Sequence, residues 1–317
     1  MVKGTVIITG VSGQDGQYLA KKLLENNYRV IGLTTSSQNR LKLLKVPLDN
    51  FELIKLCDYS NSFILDLLKQ FQPTHVVNFA AQSSVRKSWE NEEYTWKINY
   101  SITKNLLNAI CEFNSISNIK IHFTQSGSSE MFGYPSSLPL TENSSMNPIS
   151  PYAKSKHAAY KECQNQRISS NTKIANLILF NHESFLRDSE FLTSQIIEQA
   201  KKVSQGIGNI ELLFGSVRRD WGHVQDYMDA VYLIIQESIN EDLIISTGQH
   251  NSVKDFASCA LRLLGVKEFT QRIQVKHEIS PPEIPPIIFG DSKKINELLN
   301  WKPKFTFESM IAEILGH

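Results

Sequence analysis

Tyr152 and Lys156, four residues apart in SPYAKSKHAAY, are the pair in this chain best suited to acid–base chemistry. On a helix that spacing puts both side chains on one face. A neighbouring ammonium favours the phenolate, so the tyrosine can take a proton from an alcohol while a hydride leaves the same carbon. The spacing alone also suits an ordinary exposed helix face. A second segment adds weight: TQSGSSEMFG offers Ser128, able to hydrogen-bond a reacting oxygen, and Glu130, able to act as a base. Without that company, S-G-S-S reads as a turn and Glu130 as a solvated carboxylate.

Such groups need a scaffold, and the first half of the chain spells one. Apolar β-rich runs (TVIITG, YRVIGLTT, THVVNFAA, KIHFTQS) alternate with helical patterns, the pattern of an α/β, Rossmann-type doubly wound parallel sheet. KIHFT ends where Ser126 to Glu130 begin, and the C-terminal ends of such strands are where these folds hold ligands. Gly10, Gly13 and Gly16 follow TVIIT directly and precede a helix with Leu19, Leu23 and Leu24 among Lys21, Lys22 and Glu25. In that context the first glycine permits a tight turn, the second lets a pyrophosphate approach the backbone and the third allows close packing. After the second strand stand Thr34, Thr35, Ser36, Ser37 and Arg40 in place of the acidic residue that would hold the ribose diol of NAD. They favour NADP, with NAD the less suited cofactor, although the same residues also read as a polar loop.

Bulk properties narrow the class. With 317 residues, one large domain or two intimately joined ones are expected. Lysine and arginine total 33 against 32 acidic residues, a net charge of +1 that argues against a nucleic acid partner. Cys57, Cys111, Cys163 and Cys259 form no C-x-x-C pair, which suits a reducing cytoplasm. The first residues lack a secretory h-region, no run reaches the length of a membrane span, and the scattered histidines offer no metal spacing. Residues 1–175, with a return segment near 220–247, are expected to bind the cofactor, and 176–317 to form a smaller, mainly C-terminal α/β substrate domain. ANLILF reads as a strand, 189–205 and 223–239 as helices, and SPPEIPP as non-helical. A cleft between the two parts is the natural ligand site.

In order along the chain, T-G-x-x-G-x-x-G at 9–16, Asp58, N-F-A-A-Q at 78–82, S-S-E at 128–130 and Y-x-x-x-K at 152–156 resemble the extended short-chain dehydrogenase/reductase superfamily. Within it the chain resembles the GDP-mannose 4,6-dehydratase family, through TGVSGQDGQYLA, AAQSSV, EEYT, QSGSSEMFG, SPYAKSK, LFNHES, RRDWGHVQDY and GDSKKINELLNWKP. The resemblance implies catalytic roles for Ser128, Glu130, Tyr152 and Lys156. It implies cofactor contacts at Gly10, Gly13, Gln14, Asp15, Gly16, Thr34, Thr35, Ser36, Ser37, Arg40, Asp58 and Tyr59, and further along at Phe79, Ala80, Ala81, Gln82, Ser83, Tyr94, Lys156, His182 and Arg187. Substrate contacts fall at Ser83, Asn181, Arg219 and Glu283. By itself His182 reads as a structural histidine, and Arg219 as either an ion-pair partner or a fork for a sugar-nucleotide pyrophosphate. The family's double arginine after the second strand is Thr34-Thr35 here, and its arginine before P-x-E is Ser280.

The resemblance implies a nucleotide-sugar 4,6-dehydratase acting on a GDP-linked sugar, without a metal, as a homodimer or homotetramer. An NADPH-dependent 4-keto-sugar reductase, a 4-epimerase and a catalytically silent NADP-binding protein remain alternatives.

Overall fold

The computed structural model describes residues 1–36, 40–44, 48–56, 58–170, 172–277 and 284–316. They gather into two compact units, one of Met1–Met131, Met146–Leu179 and Met228–Leu243, the other of Phe132–Ser145, Phe180–Tyr227 and Ile244–His317.

The first unit starts with β1 (Thr5–Thr9), α1 (Gln14–Glu25), β2 (Arg29–Thr34), β3 (Phe51–Lys55), α2 (Asn61–Phe71) and β4 (His75–Asn78). β1 and β2 are buried almost throughout, as strands covered on both faces must be, and so read as continuous β-branched runs rather than alternating ones. α1 buries Leu19, Ala20 and Leu23 while its lysines face outward. Each fully buried leucine or isoleucine contributes about 2 kcal/mol. Next come α3 (Val85–Glu90), α4 (Glu92–Trp96), a π-helical turn at Lys97–Ser101, α5 (Ile102–Ile116), β5 (His122–Ser126), a short 3-10 turn at Ser129–Phe132, α6 (Pro151–Ser169) and β6 (Ile174–Leu179). The helical run from Glu92 to Ile116 is therefore interrupted, and the wide turn brings a buried asparagine, Asn99, inward.

β7 (Asn181–Glu183), α7 (Leu192–Ser204), β8 (Ile210–Phe214), β9 (Arg218–Arg219), β10 (Trp221–His223), α8 (Val224–Gln236) and β11 (Asp242–Ile245) follow. Both expected helices are present and shorter than expected, α7 starting after a turn in which Phe191 N–H donates to Asp188 O. Among the described residues the main sheet has seven strands in the order β11-β6-β5-β4-β1-β2-β3. Strand order reverses between β1 and β4, the switch point that opens a ligand crevice at the carboxyl ends of a doubly wound sheet. Polar side chains lock the register there. Thr9 Oγ1 donates to Asn78 Oδ1 at 2.5 Å, and Asn78 Nδ2 to Gln125 Oε1 at 2.8 Å, tying β1, β4 and β5 in a row.

The second unit adds β12 (Asn251–Ser252), α9 (Val253–Leu263), β13 (Ile273–His277), β14 (Ile287–Ile288), α10 (Lys293–Leu299) and α11 (Phe307–Leu315). Its small sheets pair β7 with β10, β8 with β13, and β9 with both β12 and β14. Ile196, Leu212, Trp221, Phe256 and Ile311 form its core, with the Trp221 ring 5.4 Å from that of Phe256. No helix of the described residues is long and apolar enough to cross a membrane.

Candidate active site

The glycine turn is shaped by backbone approaching backbone. Gly10 has φ +66°, and a Cβ there would lie 2.8 Å from Ala80 N, so only glycine lets the turn sit against the loop after β4. A Cβ on Gly16 would lie 2.5 Å from Val11 Cα, so the helix starts flush against the turn. Gly13 is the N-cap of α1 and supplies no side-chain cap, which leaves the first turn's N–H groups and the helix dipole directed at whatever occupies the crevice. This bare, glycine-built helix start fits a dinucleotide pyrophosphate. Gln14 is buried and Asp15 lies close enough to act electrostatically on Lys156.

After β2, Thr34 Oγ1 lies 2.8 Å from Ser12 Oγ and accepts from Ser36 N–H at 3.0 Å, with exposed Thr35 between them. Arg40 is anchored by its carbonyl, which accepts from Gln17 Nε2 at 3.1 Å. Ser37 and Glu283 lie outside the described residues. Asp58 accepts from Ser60 N–H at 2.9 Å and Ser60 Oγ at 2.5 Å, and these bonds hold its exposed carboxyl below the usual range. The Tyr59 phenol is pushed up to about 12 by burial and, to a lesser degree, by the charge of Tyr94, an exposed residue of α4.

The loop of Phe79, Ala80, Ala81, Gln82 and Ser83 follows β4 at the switch point. Ala80 N–H donates to Thr9 Oγ1 at 3.1 Å, and Gln82 exchanges backbone bonds with Asn99, giving to Oδ1 at 2.9 Å and receiving from Nδ2 at 3.1 Å. Asn99 Nδ2 also donates to Ser155 Oγ at 3.0 Å, whose hydroxyl donates to Tyr152 O at 2.8 Å. One amide thus joins the loop after β4 to the first turns of α6. Asn99 was not singled out from the sequence, where its signal was a polar residue on the apolar face of Ile102 and Leu106.

α6 starts at a capped end. Ser150 accepts from Ala153 N–H at 3.1 Å and Pro151 occupies the first turn, so the helix begins directly before Tyr152. Tyr152 and Lys156 are both buried. Lys156 Nζ donates to Ser126 O at 2.8 Å and Ser126 Oγ at 3.3 Å, fastening α6 to the end of β5. Burial lowers Lys156 to about 8, opposed by Asp15, and it stays an ammonium at neutral pH. Beyond Ser126, Gly127 N–H donates to Leu177 O at 2.6 Å. Ser128 is buried, and its Oγ accepts from Glu130 N–H at 3.2 Å, so the 3-10 turn orients the hydroxyl while Glu130 stays partly exposed. All four catalytic candidates belong to the first unit.

The remaining candidates belong to the second unit. His182 is buried, donates Nδ1–H to Phe180 O at 2.6 Å and stacks 4.7 Å from Tyr227. Asn181 pairs with Trp221 in the β7–β10 register. Arg187 donates to Glu183 Oε2 at 2.7 Å and to His182 O at 2.9 Å. Arg219 Nη1 donates to Pro285 O and Arg218 O, each at 2.9 Å, so one arm of the fork braces β9 against the approach to β14. Beside it, Asp220 is fully buried and accepts from Thr247 N–H, Thr247 Oγ1 and Gly248 N–H at 2.9, 2.6 and 2.9 Å. Burial raises its carboxyl to about 6. Among the described residues no group of three His, Cys, Asp or Glu side chains is placed to hold a metal.

A glycine turn at the switch point, a serine turn at the end of β5 and a buried tyrosine–lysine pair on the next helix together define an extended short-chain dehydrogenase/reductase. The chain belongs to its GDP-mannose 4,6-dehydratase family, whose model, described as GDP-mannose 4,6 dehydratase, matches residues 7–314. It is 34% identical to GDP-mannose 4,6 dehydratase 1 of Arabidopsis thaliana over 96% of this chain and 87% of that protein. To GDP-mannose 4,6-dehydratase sdnI of Sordaria araneosa it is 32% identical over 98% of this chain, which spans 60% of that longer protein. The fold matches the crystal structure of dTDP-glucose 4,6-dehydratase from Bacillus anthracis in complex with NAD, with TM-score 0.83, 20% identity and coverage of 98% and 95% of the two chains.

Proposed function

We propose that this protein is a nucleotide-sugar 4,6-dehydratase that converts GDP-mannose to GDP-4-keto-6-deoxy-mannose. The observation that carries the reading is the bond from Lys156 to Ser126, which sets the tyrosine–lysine helix beside the turn bearing Ser128 and Glu130. A nicotinamide dinucleotide, held by the glycine turn and the loops at 34–40, 58–59 and 79–83, supplies a hydride acceptor and later donor and so ends in its starting redox state.

The chain's own residues move the protons. Tyr152, kept ionised by Lys156, takes the proton of the C4 hydroxyl, and Ser128 donates to the oxygen that becomes the ketone. The ketone acidifies C5, and Glu130 removes the C5 proton. The C6 hydroxyl takes up that proton and leaves as water, and once C6 is reduced C5 regains a proton that comes from solvent. His182 and Arg187 support the cofactor, and Ser83, Asn181, Arg219 and Glu283 hold the sugar nucleotide, with Arg219 suited to its pyrophosphate. The hydroxyls after β2 and Arg40, with no acid to meet a ribose diol, favour NADP. The enzyme works as a homo-oligomer in the cytoplasm, which suits the unpaired thiols of Cys111, Cys163 and Cys259.

The test is to incubate the protein with GDP-mannose and NADP⁺ and follow product mass and NADPH absorbance. Loss of one water without net NADPH is expected. No reaction there, but oxidation of added NADPH by a 4-keto-6-deoxy sugar nucleotide, would replace the dehydratase with the reductase. Glu130→Gln is expected to keep cofactor binding and stop exchange of the C5 proton with solvent.

A further inference from the structure

Gln17 lies on α1 one residue past the last glycine of the turn, and its side chain is buried with 2% exposure. An amide has two donors and a carbonyl oxygen that accepts two bonds, and here all are used. Nε2 donates to Ser12 O at 3.0 Å and Arg40 O at 3.1 Å, and Oε1 accepts from Lys42 N–H at 2.6 Å and Leu43 N–H at 3.1 Å. Ser12, in the glycine turn, is also the residue whose hydroxyl meets Thr34. The segment after β2 is therefore fastened at both ends to one structure, at Thr34 through Ser12 and at 40–43 through Gln17. None of these partners belongs to the apolar core, and a helix position facing α1's own packing surface would ordinarily be apolar. The amide substitutes backbone hydrogen bonds for packing, and so sets the position of a loop rather than filling space.

We propose that Gln17 is the positioning residue for adenosine-end recognition, holding residues 40–43 at a fixed distance from the glycine turn so that Thr34 and Arg40 meet the adenosine ribose of the cofactor. The inference rests on the dinucleotide reading above, but not on which dinucleotide is preferred. Shortening the side chain lets the 40–43 segment move away from the turn. The adenosine end then loses contacts while the reacting groups around Lys156 keep theirs.

The test uses the full chain and its Gln17→Ala and Gln17→Glu variants. Dissociation constants are measured for NADP⁺, NAD⁺, 2′,5′-ADP and GDP, together with kcat at saturating cofactor. Gln17→Ala is expected to weaken the preferred dinucleotide and its adenosine fragment roughly tenfold or more, with GDP affinity and kcat within about twofold of the parent. Gln17→Glu keeps the acceptor for Lys42 and Leu43 but lacks the donor to Ser12 and Arg40, so it is expected to fall between the two. Unchanged dinucleotide affinity in Gln17→Ala overturns the proposal, and so does an equal loss of dinucleotide and GDP binding, which would mark a general unfolding effect. A parent protein that prefers NAD⁺ overturns the NADP reading while the Gln17 comparison, run with NAD⁺, stands. A parent that binds neither dinucleotide overturns both.

Discussion

Lys156 in the first unit and Asp220 in the second are both buried ionisable groups, and burial moves each toward neutrality, Lys156 down to about 8 and Asp220 up to about 6. Their surroundings differ. Asp220 accepts from Thr247 twice, from Gly248 and from Gly290, all on backbone or short side chains of its own unit. Lys156 has three donors and, among the described residues, gives to Ser126 alone. A buried charge saturated by its neighbours is a clamp, whereas one with donor capacity remaining can act on a group that arrives later. The contrast separates structure from chemistry better than burial or motif membership does.

The largest expected effect comes from removing the acting charge. Lys156→Met should lower kcat about 10³-fold. Holding a protonated lysine in that environment costs the fold about 3 kcal/mol, so the same variant should match or exceed the parent in thermal stability, read by calorimetry. Asp220→Asn should do the opposite, because its NH₂ would face an N–H donor. A loss of roughly 2 kcal/mol in denaturant unfolding is expected, with kcat near that of the parent.

Asn99→Ala should fall between them, lowering both Tm and kcat, because it cuts the link from Gln82 to Ser155 and leaves their groups unpaired. Arg219→Lys should raise KM for the sugar nucleotide roughly tenfold and leave kcat within a factor of two, since the planar fork is lost but the proton chemistry is untouched.

The smallest effects are in pH. For Lys156 the folded value lies below the ordinary 10.5, so the unfolded chain holds the proton more tightly, and stability rises as pH climbs from about 8 toward 10.5. Activity runs the other way, with kcat/KM falling above about pH 8 as the ammonium is lost. For Asp220 the folded value lies above 3.8, so its contribution to stability is complete below that pH and is lost as pH rises through about 6. Coincident loss of activity and stability above pH 8 would remove the distinction between the two groups.

Much of the first unit was legible in the sequence because local signals agreed there: β-branched strands, glycines between strand and helix, and Tyr152 and Lys156 one turn apart. Asn99 and Gln17 were not, because each acts through long-range hydrogen bonds, to Ser155 in one case and to Arg40 in the other, and no periodicity announces such a bond. In the second unit the resemblance implies a cofactor contact at Arg187 and a substrate contact at Arg219, and both side chains also carry structural bonds. Their bonds to Pro285 O and to Glu183 show a bracing role that the motif does not encode, because the partners come from distant backbone or from a residue whose burial the sequence leaves open.

Substrate deuterated at C4 tests the internal redox route most directly. With GDP-[4-²H]mannose and catalytic NADP⁺, the product is expected to be one water lighter and to carry the deuterium at C6, with a solvent-derived proton at C5. Deuterium lost to solvent or accumulating in the free cofactor pool, or a product that retains its C6 hydroxyl, would contradict the assignment of Tyr152, Lys156, Ser128 and Glu130 to a single dehydrating site.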